Sequence, residues 1–167
     1  MSRLQEAALV EPIALGPGEG ERIWFTDCEF TFKATTGSTG GELLVTEALM
    51  PVGFGPPLHV HHNEHEAFYV LEGRLEIACG SNRFEAGAGA FAFLPSGVAH
   101  TFRVIGDAPA RVLGVAVPGG LEDFFREVGR PAERDGMPPR GSIDIAALER
   151  AATRHGNEFV GPPLGRP

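Results

Sequence analysis

Between Ile23 and Val117, apolar and polar positions alternate with a period of two, in short runs broken by Gly, Pro, Asn and Ser. Successive side chains of a strand point to opposite faces, so this pattern predicts half-buried β-strands separated by turns. Ile23 to Phe25 and Phe30 to Thr35 are the first runs. TGSTGG at 36 to 41 is a turn signal, and Glu42 to Met50 completes a hairpin. The glycines of that turn do not make a phosphate loop, because no Gly-Lys-Ser/Thr follows and strands flank it on both sides. Pro51 to Pro57 breaks the sheet and delivers the chain into Leu58 to His61 and then Glu66 to Leu71. Arg74 to Ala78, Arg83 to Glu85, Ala90 to Leu94, His100 to Ile105 and Ala110 to Val117 bring the set to about ten strands. Many short antiparallel strands with frequent turns indicate an all-β sandwich or jelly roll.

After Pro118-Gly119-Gly120 the period changes from 2 to 3.6. Leu121, Phe124, Phe125 and Val128 form one stripe and Glu122, Asp123, Arg126 and Glu127 lie opposite, an amphipathic helix stopped by Gly129 and Pro131. Residues 130 to 141 are too polar and Pro-rich for regular structure. A second helix follows, with Ser142 or Asp144 as N-cap, Ile145, Leu148 and Ala152 on its apolar side, His155 at its dipole-compatible end and Gly156 beyond. Glu158 to Val160 can add to a sheet edge before prolines end it. The expected division is an N-terminal arm at 1–20, a β-domain at 21–118, and C-terminal helices and tail at 119–167 packed on that domain.

At 167 residues there is room for one domain with a core and not for two such sandwiches. The formal charge of −8, without any Lys/Arg block, disfavours a nucleic-acid partner. No apolar run reaches membrane-spanning length and MSRLQEAALVEPIAL lacks a signal-like apolar core, so the expectation is a soluble, cytoplasmic protein without a membrane partner. Cys28 and Cys79 are too few and too far apart for a disulfide framework and read as buried thiols.

The chemistry concentrates in PPLHVHHNEHEAFYVLEG, residues 56 to 73, which holds four of the six histidines. As a strand, Leu58 to His61 places His59 and His61 on one face and Val60 and His62 on the other. Beyond the polar bend at Asn63 and Glu64, Glu66 can return to the same face. Two imidazoles and one carboxylate converging there suit a divalent transition metal, Fe, Mn, Ni, Co or Zn, better than Ca. His62, Glu64 and His65 read as solvated loop positions.

The spacing Gly53, five residues, His59, one, His61, four, Glu66, six, Gly73 resembles the first motif of the cupins. Gly89, five residues, Pro95, one, Gly97, two, His100 resembles their second motif, except that Val104 stands where the family usually has Asn. The resemblance implies a cupin β-barrel, a double-stranded β-helix or jelly roll, with a C-terminal helical appendage and His100 as fourth metal ligand. In such a barrel Phe68 and Val70 share the Glu66 face and Phe102 the His100 face; with Phe91 or Phe93 they form a largely apolar substrate pocket.

LEDFFREVGRPAE and the helix after it are similar to the tail of small bacterial quercetinase-like cupins. Their chemistry implies a metal-dependent dioxygenase acting on a phenolic or enolic small molecule, aromatic or polyketide-like, with Glu66 as ligand and base. A non-redox isomerase, cyclase or lyase, possible in natural-product metabolism, and a non-catalytic small-molecule-binding cupin are the alternatives, because fold does not fix reaction. A homodimer is the expected assembly.

Overall fold

The computed structural model describes residues 10–141 and 143–165. The first nine residues of the expected arm and the candidate N-cap Ser142 lie outside that range; residues 10 to 20 are exposed and carry no strand. Ten strands precede the first long helix among the described residues: β1 (Glu21–Phe25), β2 (Cys28–Ala34), β3 (Leu44–Met50), β4 (Leu58–His61), β5 (His65–Glu72), β6 (Arg74–Cys79), β7 (Asn82–Gly87), β8 (Phe91–Leu94), β9 (His100–Val104) and β10 (Ala110–Val117). TGSTGG is a single helical turn, α1 (Thr36–Thr39), between β2 and β3. The expected helices are α2 (Leu121–Val128) and α3 (Ile145–Arg154). Asp144 caps α3, accepting from the Ala147 amide at 2.9 Å. The loop after α2 contributes one short strand, β11 (Arg130–Pro131), which pairs with β1. The tail forms β12 (Asn157–Gly161) against β4.

All ladders are antiparallel and make two sheets, ordered β11-β1-β2-β3-β10-β5-β8 and β12-β4-β9-β6-β7. The barrel implied by the motifs takes the form of a two-sheet jelly roll: no ladder joins the sheets among the described residues, and side chains close the gap. Met50, Val70 and Val112 of the larger sheet pack with Leu75, Ile77 and Val104 of the smaller one. Val104, at the position where the cupin motif has Asn, is a core residue here, 1% exposed.

A second core lies at the β1–β2 end of the larger sheet, under the two helices. The stripe Leu121, Phe124, Phe125 seats α2 there, with Phe125 stacked on Phe30 at 4.7 Å and edge-on to Phe25 at 5.0 Å. Glu122, expected on the polar face of this helix, is instead 1% exposed. Its carboxylate accepts from the amides of Thr36 at 2.6 Å and Gly120 at 3.0 Å, which ties the start of α2 to α1. Those amides outweigh the burial that opposes its charge and hold its pKa below the usual value.

Two motif glycines set the turns that aim the site. Gly73, between β5 and β6, has φ +77°, and a Cβ there would meet the Pro109 carbonyl oxygen at 2.6 Å. Gly97, φ +78°, turns the chain after β8 toward His100, and its amide bonds the His61 carbonyl at 2.9 Å.

Candidate metal centre

Strand parity brings the ligand candidates together. In β4 the burial alternates, with His59 and His61 buried and facing inward. His100, the first residue of β9, pairs directly with His59. Glu66 comes from β5 on the opposite sheet, so the group bridges both layers of the sandwich. One donor atom from each of His59, His61, Glu66 and His100 lies within 4.8 Å of every other. Glu66 Oε2 is 3.2 Å from His61 Nε2 and 3.3 Å from His100 Nε2.

The rings are also fixed from behind. His59 Nδ1 faces the Pro57 carbonyl at 2.7 Å, and His100 Nδ1 faces the Val98 carbonyl at 3.0 Å. A carbonyl only accepts, so Nδ1 carries the proton in both rings and the Nε2 lone pairs are left for the centre. His61 Nδ1 meets Glu64 Oε1 at 2.5 Å. This corrects the solvated placement expected for Glu64: it is 3% exposed and orients a ligand candidate. His62 does lie outside, bonded to Glu158 at 2.9 Å, and His65 accepts from the Ser96 amide at 3.0 Å on the exposed rim.

The electrostatics set His59 apart from His61. Burial, reinforced by His100 and His61, pushes His59 down to about 4, so it is neutral at pH 7. Burial acts the same way on His61, but Glu66 and Glu64 outweigh it and raise the ring to about 10. Burial also works against the charge of Glu66, and His61 and His100 overcome it, holding the carboxyl well below the usual range. Three imidazole nitrogens and one anionic oxygen, each ring oriented by an acceptor, fit Fe, Mn, Ni, Co or Zn, and they offer too few oxygens for Ca.

Comparison with known proteins agrees with this geometry. Residues 46–116, from β3 to β10, match the family described as Cupin domain. The quercetin 2,3-dioxygenase of Bacillus subtilis is 31% identical over 137 residues, 81% of this chain and 40% of that protein. The chain belongs to the cupin superfamily. A further relative of this cupin, the polyketide synthase CurC of Streptomyces cyaneus, is 34% identical over 79 residues, 47% of this chain and 50% of that protein. The cupin thus spans less than two thirds of the length of either relative. A solved structure described as a predicted oxalate decarboxylase from Thermotoga maritima has a TM-score of 0.56 at 21% identity, covering 65% of this chain and 99% of that one, a likeness of fold.

In this cupin the candidate metal-binding group opens on an apolar cavity of about 230 Å³ that runs between the sheets to the C-terminal helices. Phe68 and Phe102, both expected in the pocket, line it and meet edge to face at 5.4 Å. Val70 faces inward as expected but is sealed in the core, 1% exposed, and is not part of the wall. Phe91 and Phe93 do not belong to the pocket: β8 turns Ala92 and Leu94 inward and leaves Phe91 and Phe93 65% and 54% exposed on the outer face. The far wall comes instead from Phe25, Phe30, Phe124, Phe125 and Leu148, and Asn157 and Phe159 of β12 complete the side next to the histidines. The aromatic stripe of α2 was visible in the sequence as a packing face; its place over the pocket depends on long-range topology. Ile143 and Ile145, exposed lining residues, mark the mouth at the start of α3.

Proposed function

We propose that this cupin is a metal-dependent dioxygenase of flavonol-like phenols or enols. The observation that carries the reading is a three-histidine, one-carboxylate group opening directly on an aromatic-walled cavity. The likeness to the quercetin 2,3-dioxygenase of Bacillus subtilis over 81% of the chain supports it. No Lys or Arg lines the cavity among the described residues, which disfavours sugar phosphates and free carboxylates.

His59, His61, Glu66 and His100 would hold the divalent ion, whose contribution is to bind a substrate oxygen and open it to reaction with dioxygen. The chain's own residues supply orientation and proton transfer. Phe68 and Phe102, edge to face with each other, form one apolar wall for a planar ligand and, with Phe25 and Phe30, keep water from it. Glu66 Oε2 accepts the hydroxyl proton. A carboxylate is a base suited to an acidic phenol or enol rather than to a C–H bond.

Oxygen uptake with quercetin tests the reading. Glu66→Gln at matched metal content should lose turnover by about 10²-fold or more, because the amide oxygen still coordinates but takes no proton. Undiminished turnover would remove Glu66 from the base role. A second reading, a non-redox cyclase, isomerase or lyase, is supported by the likeness to the Streptomyces cyaneus polyketide synthase protein and predicts turnover that ignores oxygen. Binding without turnover would leave a small-molecule-binding cupin.

A further inference from the structure

Asn157, the first residue of β12, is 2% exposed, yet neither its Oδ1 nor its Nδ2 has a hydrogen-bond partner among the described residues. The register of β12 on β4 sets Asn157 opposite His61 and Phe159 opposite His59. Opposed residues of antiparallel strands share a face with Cβ atoms about 4.5–5.5 Å apart, so the amide stands beside a metal-binding imidazole. Alternation along β12 agrees, with Asn157 and Phe159 inward and Glu158 and Val160 outward. Asn157 lines the cavity, where the walls around it are almost wholly apolar.

A buried amide that bonds nothing is costly to the fold, whereas Leu in the same space would be free of that cost. Its neutrality, and the lack of cationic lining, fit an uncharged polar group rather than a carboxylate or phosphate. A carboxamide both donates and accepts, which matches a hydroxyl.

We propose that Asn157 is the specificity-determining anchor of the pocket, hydrogen-bonding a hydroxyl of an otherwise apolar, planar ligand whose other oxygen lies at the His59, His61, Glu66 and His100 group. The ligand class is therefore a polyhydroxylated aromatic. This assignment rests on the reading of the centre as a phenol-binding site, but not on what reaction follows.

The test compares wild type with Asn157→Leu, both loaded with Co²⁺ to equal content, by anaerobic calorimetric titration with quercetin and with 3-hydroxyflavone. The two probes share the 3-hydroxyl and 4-carbonyl pair, and only quercetin carries further hydroxyls. Asn157→Leu should shift the ratio of the two dissociation constants by about tenfold against quercetin, the scale of one lost hydrogen bond. Its Tm should rise, since an unpartnered buried amide is gone. Asn157→Ala, which cannot overfill the cavity, should shift the ratio in the same direction and decides the matter if the Leu variant does not fold. An unchanged ratio, equal weakening of both probes with a lower Tm, or wild type that binds neither probe overturns the assignment. So does failure of both variants to take up Co²⁺ as wild type does, which would make Asn157 a ligand of the ion. Quercetin binding without oxygen uptake on aeration would sink the dioxygenase reading and leave the anchor standing.

Discussion

His61 stands between two carboxylates, Glu64 behind its Nδ1 and Glu66 before its Nε2, and in metal-free protein their charge keeps a proton on the ring up to about pH 10. Ligation needs the Nε2 lone pair, so metal and proton compete for one place. The sign follows: below pH 10 each rise in pH removes competitor, and affinity should climb about tenfold per pH unit, with about one proton released per ion bound. Calorimetry at pH 6, 7 and 8 in buffers of differing ionisation enthalpy checks this; affinity that ignores pH would mean that the proton is not on His61. Replacing His61 by Ala should lower metal content far more than replacing His62, which lies outside with Glu158. The pair His59 and His61 was legible because a period of two fixes the face of every residue in a strand. Glu64 was not, since nothing in a polar bend says which side chain folds back onto the strand before it. Phe91 and Phe93 were misplaced because alternation states that neighbours differ in face, and only the partner strand tells which face is inner.

At the scale of elements, α2 does two things that its amphipathic pattern shows unequally. The stripe Leu121, Phe124, Phe125 announces a buried face, and the structure puts that face over the β1–β2 hairpin and the end of the cavity. Glu122 breaks the pattern because it serves the backbone, accepting from the amides of Thr36 and Gly120. Glu122→Ala should leave those donors unsatisfied and cost about 1–3 kcal/mol, a Tm lower by about 2–4 °C per kcal/mol. Metal content should be unchanged, because the four ligand candidates are carried on β4, β5 and β9. Thermal melts with elemental analysis check both halves, and a Tm equal to wild type would show that the carboxylate is dispensable to the join. The tail behaves likewise: a strand at 158 to 160 was readable from composition, whereas its seat against β4 was not. That seat is what brings Asn157 beside His61.

For the whole molecule the decisive feature is that two antiparallel sheets are held face to face by side chains, with no ladder between them among the described residues. The candidate metal-binding group crosses that gap, His59, His61 and His100 on the smaller sheet and Glu66 on the larger. An ion there would tie the layers at a point where metal-free protein has the contacts of Glu66 with the His61 and His100 rings. Binding to the folded state alone stabilises by mass action, about 4 kcal/mol at a thousandfold excess over Kd, or roughly 8–16 °C in Tm for a chain of this size. The pH dependence of the metal-free form has the opposite sense to that of metal affinity. A histidine raised above its unfolded value of 6.5 to about 10 contributes fully below pH 6.5 and loses that contribution as pH rises through 10. Metal-free protein should therefore melt lower at pH 9 than at pH 6.5, and saturating metal should abolish that fall because the ion then takes the proton's place. His61→Ala should lose both the metal-induced rise and most of the pH dependence. Melts that respond to metal equally in wild type and in His61→Ala would show that the stabilising ion sits elsewhere and that the two sheets are not joined through this group.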